Sequence, residues 1–120
     1  MAARNRETIL RAAYHKARNQ TRRGEEGEKK TIVIPAEQHD YLTSVKMVNT
    51  LLRSGIEIQK AGSDFQVEGK HYPEGSYVIS LAQPKMGLIR NLLTETHYAD
   101  NAWTRQEDGT PIHPYDLATH

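Results

Sequence analysis

Three titratable side chains follow directly on a strongly apolar stretch and form the first candidate site. Glu37, His39 and Asp40 come just after residues 31–35, whose β-branched side chains predict a buried strand. Carboxylate and imidazole groups at the end of such a strand could transfer protons, bind a small ligand or hold an ion. The simpler interpretation is that Asp40 caps the following helix while Glu37 and His39 face water. Both interpretations stay open at this point.

His71 and Glu74 form a second candidate, because they have the H-x-x-E spacing with which zinc carboxypeptidases supply two metal ligands. His97 or His113 could nominally supply a third ligand. The intervening Tyr-Pro-Glu-Gly segment predicts a tight turn at the tip of a hairpin, which is a poor support for three converging ligands. We therefore predict a solvated turn here, and no metal ligand or cofactor in this chain.

Motifs for covalent or phosphate chemistry are missing from the sequence. There is no Cys, and no Ser lies in a G-x-S-x-G nucleophile elbow. Neither G-x-G-x-x-G nor G-x-x-x-x-G-K-[ST] occurs, so the sequence contains no standard dinucleotide or phosphate cradle. We predict no catalytic residue in this chain.

Charge is distributed unevenly along the chain. Residues 1–30 hold nine Lys/Arg against four Glu, a net +5, and residues 31–120 hold seven against eleven Asp/Glu, a net −4. A basic segment can bind nucleic acid or an anionic membrane surface. Here the cations alternate with apolar residues at helical spacing and lack an aromatic stacking platform, so a solvated helix face is favoured. We expect no nucleic-acid or membrane partner, and keep weak nucleic-acid binding through residues 4–30 as a minor alternative.

Hydrophobic periodicity predicts the elements that position these residues. Residues 5–22 form a helix with few large apolar side chains, which we expect to dock on a neighbour, and residues 24–30 form a polar linker. A strand at 31–35, a helix from Asp40 to about Gly55 and a strand at 56–60 have the order of a βαβ unit, which implies parallel strands. Strands at 65–67 and 76–81 form a hairpin with a long connection, and a last helix runs from Pro84 to about Thr96.

These elements predict an α/β fold with a small, partly parallel sheet that contains the βαβ unit. A hairpin and flanking helices complete a three-layer arrangement of the Rossmann-like or flavodoxin-like kind. The predicted organisation is a basic helix and linker at 1–30, an α/β domain at 31–97 and an irregular tail at 98–120. Trp103 in the tail is a candidate docking contact.

Several blocks of the sequence, taken in order, resemble one protein family. They are IVIPAEQHD at 32–40, VNTLLRSGIE at 48–57, YPEGSYV at 72–78, AQP at 82–84 and PYD at 114–116. This set resembles the region that follows the catalytic domain in large bacterial zinc carboxypeptidase-like proteins of the M14 peptidase family. The resemblance covers nearly the whole chain, including the helix at 9–18, and implies that the chain is a fragment of a longer protein.

The resemblance implies a parent enzyme in which His, Glu and His bind zinc, and the zinc activates water for hydrolysis at a peptide C-terminus. None of those ligands lies in the matching blocks, so zinc is expected only in the parent's catalytic domain. The family's later domain is similar to glutamine amidotransferase domains, whose thiolate chemistry this chain cannot perform without Cys. The implied partners are the catalytic domain and the parent's peptide substrate. Self-association of the fragment stays open, and so does location, with a secreted or periplasmic parent as one outcome.

Our leading hypothesis is therefore a non-catalytic accessory domain of an M14-like zinc carboxypeptidase, which supports the catalytic domain or helps to present substrate. The alternative is a stand-alone module that binds a small ligand with the loop from Glu37 to Asp40. Whether this chain belongs to an enzyme depends on the parent, since the chain itself is expected to be non-catalytic.

Overall fold

The computed structural model describes residues 4–95 and 100–112. Three helices are present in this part of the chain: α1 (Arg6–Glu26), α2 (Tyr41–Arg53) and α3 (Met86–Leu93). The strands are β1 (Thr31–Ile34), β2 (Gln59–Lys60), β3 (Phe65–Val67), β4 (Lys70–Tyr72) and β5 (Tyr77–Ser80). No helix among the described residues combines the length and the apolar composition that crossing a membrane requires.

The sheet is antiparallel, so the predicted Rossmann-like or flavodoxin-like fold is wrong. β5 lies between β1 and β2 and pairs antiparallel with both, while β3 and β4 form a separate antiparallel hairpin. Because β1 and β2 both oppose β5, they run in the same direction without touching. From the order of strand, helix and strand we predicted that β1 and β2 pair directly as parallel strands. That order could not indicate that a later strand lies between the two.

The predicted hairpin also has different partners. The structure pairs β3 with β4, in the register Phe65 with Tyr72, and gives β5 to the larger sheet. Phe65 and Tyr72 stack with their ring centroids 5.4 Å apart, and Gly69 turns the chain with a φ of +77°. The β4 residues escaped prediction because Lys and His give no apolar alternation.

Only one face of the larger sheet carries the core. The predicted three-layer arrangement would have covered both faces. Ile34 and Ile79 belong to a buried cluster together with Val48 of α2 and Ile89 of α3. The remaining buried members of the cluster are Leu51, Ile56, Leu81 and Met86. Side chains alternate along a strand, so the residues between these positions face away from the core. An antiparallel sheet with one covered face is the common solution for a short chain.

Gln83 joins the segment before β2 to the end of β5 through a buried amide side chain. Its Oε1 accepts a hydrogen bond from the Glu57 N–H at 2.8 Å, and its Nε2 donates to the Glu57 and Ser80 carbonyl oxygens at 3.1 and 2.7 Å. These bonds satisfy backbone groups beside Ile56 that no strand pairs. The side chain therefore fixes the approach to β2 against the end of β5.

α1 attaches to this body at Gly24. A Cβ atom at Gly24 would lie 1.7 Å from the Leu81 carbonyl oxygen, so only glycine permits this contact between the helix and the end of β5. One turn earlier in α1, Gln20 packs against Gly87 of α3. The sequence predicted a linker from residue 24, but the helix continues to Glu26 because this close packing holds its last turns.

Candidate functional site

The loop between β1 and α2 holds the three predicted site residues, and one of them serves the helix. Asp40 is the N-cap of α2: its carboxylate accepts hydrogen bonds from the Thr43 N–H at 3.0 Å and the Thr43 hydroxyl at 2.5 Å. These bonds from Thr43 lower the pKa of Asp40 below its usual value of 3.8, because they stabilise the charged form. The structure confirms the capping interpretation of Asp40.

Glu37 and His39 lie exposed on the same loop. Neither side chain makes a hydrogen bond or ion pair with another of the described residues, whereas Gln38 donates from its Nε2 to the Pro35 carbonyl oxygen at 3.1 Å. The structure therefore places the three predicted side chains in sequence order along a surface loop and does not converge them on one point. The sequence argument also assumed the carboxyl edge of a parallel sheet, and this sheet is antiparallel.

The second candidate pair lies on and after the β3–β4 hairpin. His71 is exposed on β4, with its Nε2 3.7 Å from the Asp64 carboxylate, and Glu74 lies in the following turn, where its N–H donates to Asp64 at 2.8 Å. Among residues 4–95 and 100–112, no three His, Asp or Glu side chains converge as metal ligands. His97 and His113 fall outside the described residues.

The free half of α1, residues 6–16, is exposed along its whole length and carries three large apolar side chains. Ile9, Leu10 and Tyr14 are 54%, 63% and 62% exposed. They lie one to two turns before Ala17 and Thr21, which are half-buried where the helix meets the body. Since i, i+3 and i+4 positions share a helix face, the packed face of α1 continues beyond the body as an unpartnered apolar face.

A shallow groove forms where this face leaves the body. Its lining includes Tyr14, Ala17 and Thr21 of α1 together with Pro84, which precedes α3. Arg18 and Arg22 lie at its border. Glu25 also lines it, so the groove combines an apolar surface with two basic side chains and one acidic side chain. The sequence predicted that the weak apolar face of this helix docks on a neighbour, but not that Pro84 would contribute to the groove.

A cleft beside β1 is another concave feature, and it was not predicted. It has a volume of about 350 Å³ and lies between β1 and the β3–β4 hairpin. Thr31 and Val33 form one wall, Val67 and Tyr72 the other. Charged residues complete the lining, namely Lys29, Lys30, Lys70, Glu28 and Glu68. The sequence could not indicate this cleft, because its walls come from strands whose pairing was predicted incorrectly.

The segment at 100–112 is organised around Arg105. Its guanidinium donates to both Asp100 carboxylate oxygens, at 2.5 and 3.0 Å, and to the Gly109 carbonyl oxygen at 2.7 Å. The bonds from Arg105 hold the pKa of Asp100 below its usual value. Trp103 lies beside this turn and is 90% exposed. The segment thus presents an aromatic side chain that is almost fully exposed.

Comparisons with protein-family models, with curated proteins and with solved structures found no match to this chain.

Proposed function

We propose that this chain is a non-catalytic accessory domain of a larger zinc carboxypeptidase-like protein, and that it docks on the neighbouring domain through the free half of α1. The resemblance of the ordered sequence blocks suggests the parent. The observation that carries the docking role is the continuous face of α1, packed in its second half and exposed with Ile9, Leu10 and Tyr14 in its first.

Charge supports a particular kind of docking surface. Residues 4–18 contain Arg4, Arg6, Arg11, Lys16 and Arg18 against Glu7, which gives +5 − 1, or +4. A second copy of this segment would bring the same charge, so self-association through this face is opposed. An apolar surface with an acidic rim on the parent's catalytic domain would complement it, since opposite potentials favour association and fix orientation.

A small-ligand module at the Glu37–Asp40 loop is less well supported. Asp40 is occupied by its bonds to Thr43, and the other two side chains are exposed on the loop. Ligand sites usually bury most of a ligand's surface in a concavity. The exposed apolar side chains of α1 therefore support the docking function better than the loop supports a ligand site.

The parent is tested by purifying the protein from its source cells with an antibody raised against residues 31–95. We expect a polypeptide larger than the 13.6 kDa of this chain, with bound zinc and with chelator-sensitive release of amino acids from peptide C-termini. Recovery of a 13.6 kDa species without zinc or peptidase activity would contradict the proposal.

Docking is tested in the same parent with Leu10→Glu and Tyr14→Glu, and with Ala12→Glu as the matched control on the opposite side of the helix. A glutamate on the docking face would have to be buried against an acidic rim, so both variants should open α1 to trypsin while zinc content stays unchanged. Ala12→Glu should leave the protection intact. Equal protection in all three would exclude docking through this face, and a salt-sensitive shift with random DNA that tracks these variants would favour nucleic-acid binding.

A further inference from the structure

The backbone of β1 has one edge without a partner strand. In an antiparallel pair, the N–H and C=O groups of alternate residues point towards the partner. The Leu81 N–H donates to the Lys30 carbonyl oxygen at 2.9 Å, and the register pairs Ile32 with Ile79 and Ile34 with Tyr77. Lys30, Ile32 and Ile34 thus direct their backbone groups towards β5.

Thr31 and Val33 consequently direct their N–H and C=O groups to the open edge. None of these four groups has a hydrogen bond to another described residue. Two donors and two acceptors are therefore presented along one line, with the spacing of two residues in an extended strand, about 6.7 Å. Such an edge is a template for an additional strand.

The same two residues line the cleft between β1 and the hairpin. Val33 contributes an apolar side chain, and Val67 and Tyr72 face it from the hairpin. An extended segment along the edge would therefore have backbone partners on β1 and an apolar contact on one side.

Charge around the cleft favours an acidic occupant. The lining holds Lys29, Lys30 and Lys70 against Glu28 and Glu68, a net +1, and the Lys70 ammonium lies 5.7 Å from the centroid of the Tyr72 ring. None of the three lysines forms an ion pair with a described residue. A segment with carboxylates beside its extended core would meet unpaired ammonium groups at the cleft.

We propose that the open edge of β1 binds an extended, acidic peptide segment by strand addition, with the segment lying in the cleft between β1 and the β3–β4 hairpin. This site is separate from the docking face of α1 and does not depend on the proposed parent. Main-chain hydrogen bonds to Thr31 and Val33 provide the affinity, and the cleft selects β-branched side chains flanked by carboxylates.

The probe is a capped peptide with a core of alternating Val and Thr and a pair of Glu at each end. Amide hydrogen exchange, followed residue by residue by NMR, is the measurement. In the free protein the Ile32 and Ile34 amides should exchange slowly and those of Thr31 and Val33 quickly. The peptide should slow Thr31 and Val33 selectively. Slow exchange at all four in the free protein, or binding that leaves Thr31 and Val33 unchanged, would overturn the proposal.

Two controls separate backbone pairing from general adhesion. The same peptide with every amide N-methylated keeps its side chains but loses its donors, and should not bind. Replacement of the terminal Glu pairs by Lys should weaken binding, most strongly at low salt. Equal binding of either control peptide would contradict strand addition or the acidic preference, respectively.

Val33→Pro tests the protein side, because it removes an edge-facing N–H that β5 does not use and proline is tolerated on edge strands. We expect about fivefold weaker peptide binding, as for the loss of one hydrogen bond. Val33→Thr keeps the N–H and should bind within about twofold. Equal affinity of the two variants would exclude the Val33 N–H as a contact.

Discussion

In a typical amphipathic helix the large apolar side chains pack on the body of the protein. In α1 they lie instead in the free half of the helix. The half that packs on the body uses small or polar residues, with Gly24 against Leu81 and Gln20 against Gly87. The free half carries the large apolar side chains, including Leu10 and Tyr14. Close approach of the backbones holds the packed half in place. None of the described residues covers the apolar side chains of the free half. The chain's own core therefore does not need the apolar residues of α1, which makes them available to a partner.

The largest effect should come from Gly24→Ala. In an ordinary helix this change stabilises by about 1 kcal/mol, because alanine has the higher helix propensity. Here the new Cβ would overlap the Leu81 carbonyl oxygen, so we expect a loss of about 3 kcal/mol and separation of α1 from the body. Denaturant unfolding measures the loss. Gly62→Ala is the control, since no atom lies within 4 Å of its Cβ position, and a neutral Gly24→Ala would refute close packing as the cause.

Gln20→Leu should strengthen the packed half. The Gln20 Oε1 is buried and has no hydrogen-bond partner, which costs free energy, whereas a leucine of similar size has no polar atom to satisfy. We expect the free energy of unfolding to rise by about 1 kcal/mol. Asn19→Leu, on the exposed side of the same turn, is the comparison and should give no comparable gain. A loss of stability in Gln20→Leu would mean that the amide group has a role in the packed half.

The N-termini of α1 and α2 differ in their capping, and this difference predicts a dependence of helix stability on pH. Asn5 precedes α1 without a side-chain capping bond, while Asp40 caps α2 through Thr43. The folded pKa of Asp40 is lowered from 3.8, so its stabilising contribution is present above pH 3.8 and is lost as the pH falls through the lower folded value. Asp40→Asn keeps a capping oxygen but cannot titrate. It should show a smaller loss of α2 helicity below pH 3.8 by circular dichroism, and identical acid profiles would contradict the assignment.

The smallest effect on the isolated chain should come from Leu10→Gln. Because Leu10 has little to pack against in this structure, the free energy of unfolding should change by no more than about 0.5 kcal/mol. Chemical denaturation of the isolated chain provides the measurement. A loss above about 2 kcal/mol would show that the side chain is already buried in solution, and the contrast between the two halves would then disappear.

Local signals were sufficient to predict α2 and its cap. The apolar stripe containing Val48 and Leu51, with Asp40 before it, depends only on residues within the helix, and the structure has these features where the sequence predicted them. α3 also follows its apolar spacing, although it begins at Met86 and ends at Leu93, inside the predicted bounds.

Pairing and packing depended on residues distant in sequence. The apolar run containing Ile32 and Val33 predicted a strand covered on both faces, yet Val33 faces the cleft and only one face carries the core. Nothing near β1 or β2 indicates that β5 separates them. Gly24 in a charged run has the same local pattern in a linker as in a packed helix, and only its contact with Leu81 distinguishes the two. The open edge of β1 could not be predicted either, because it depends on which distant strands pair with β1.

The insertion of β5 between β1 and β2 has a consequence for synthesis of the chain. When a ribosome has completed β1, α2 and β2, the two strands share a direction but have no partner, because the strand that joins them is made last. The sheet can close only after Ser80 leaves the exit tunnel, and Gln83 can fix β2 only after that. Until then β1 has unpaired backbone groups on both of its edges. Translation speed and chaperone contact across residues 60–85 therefore bear on the yield of folded protein.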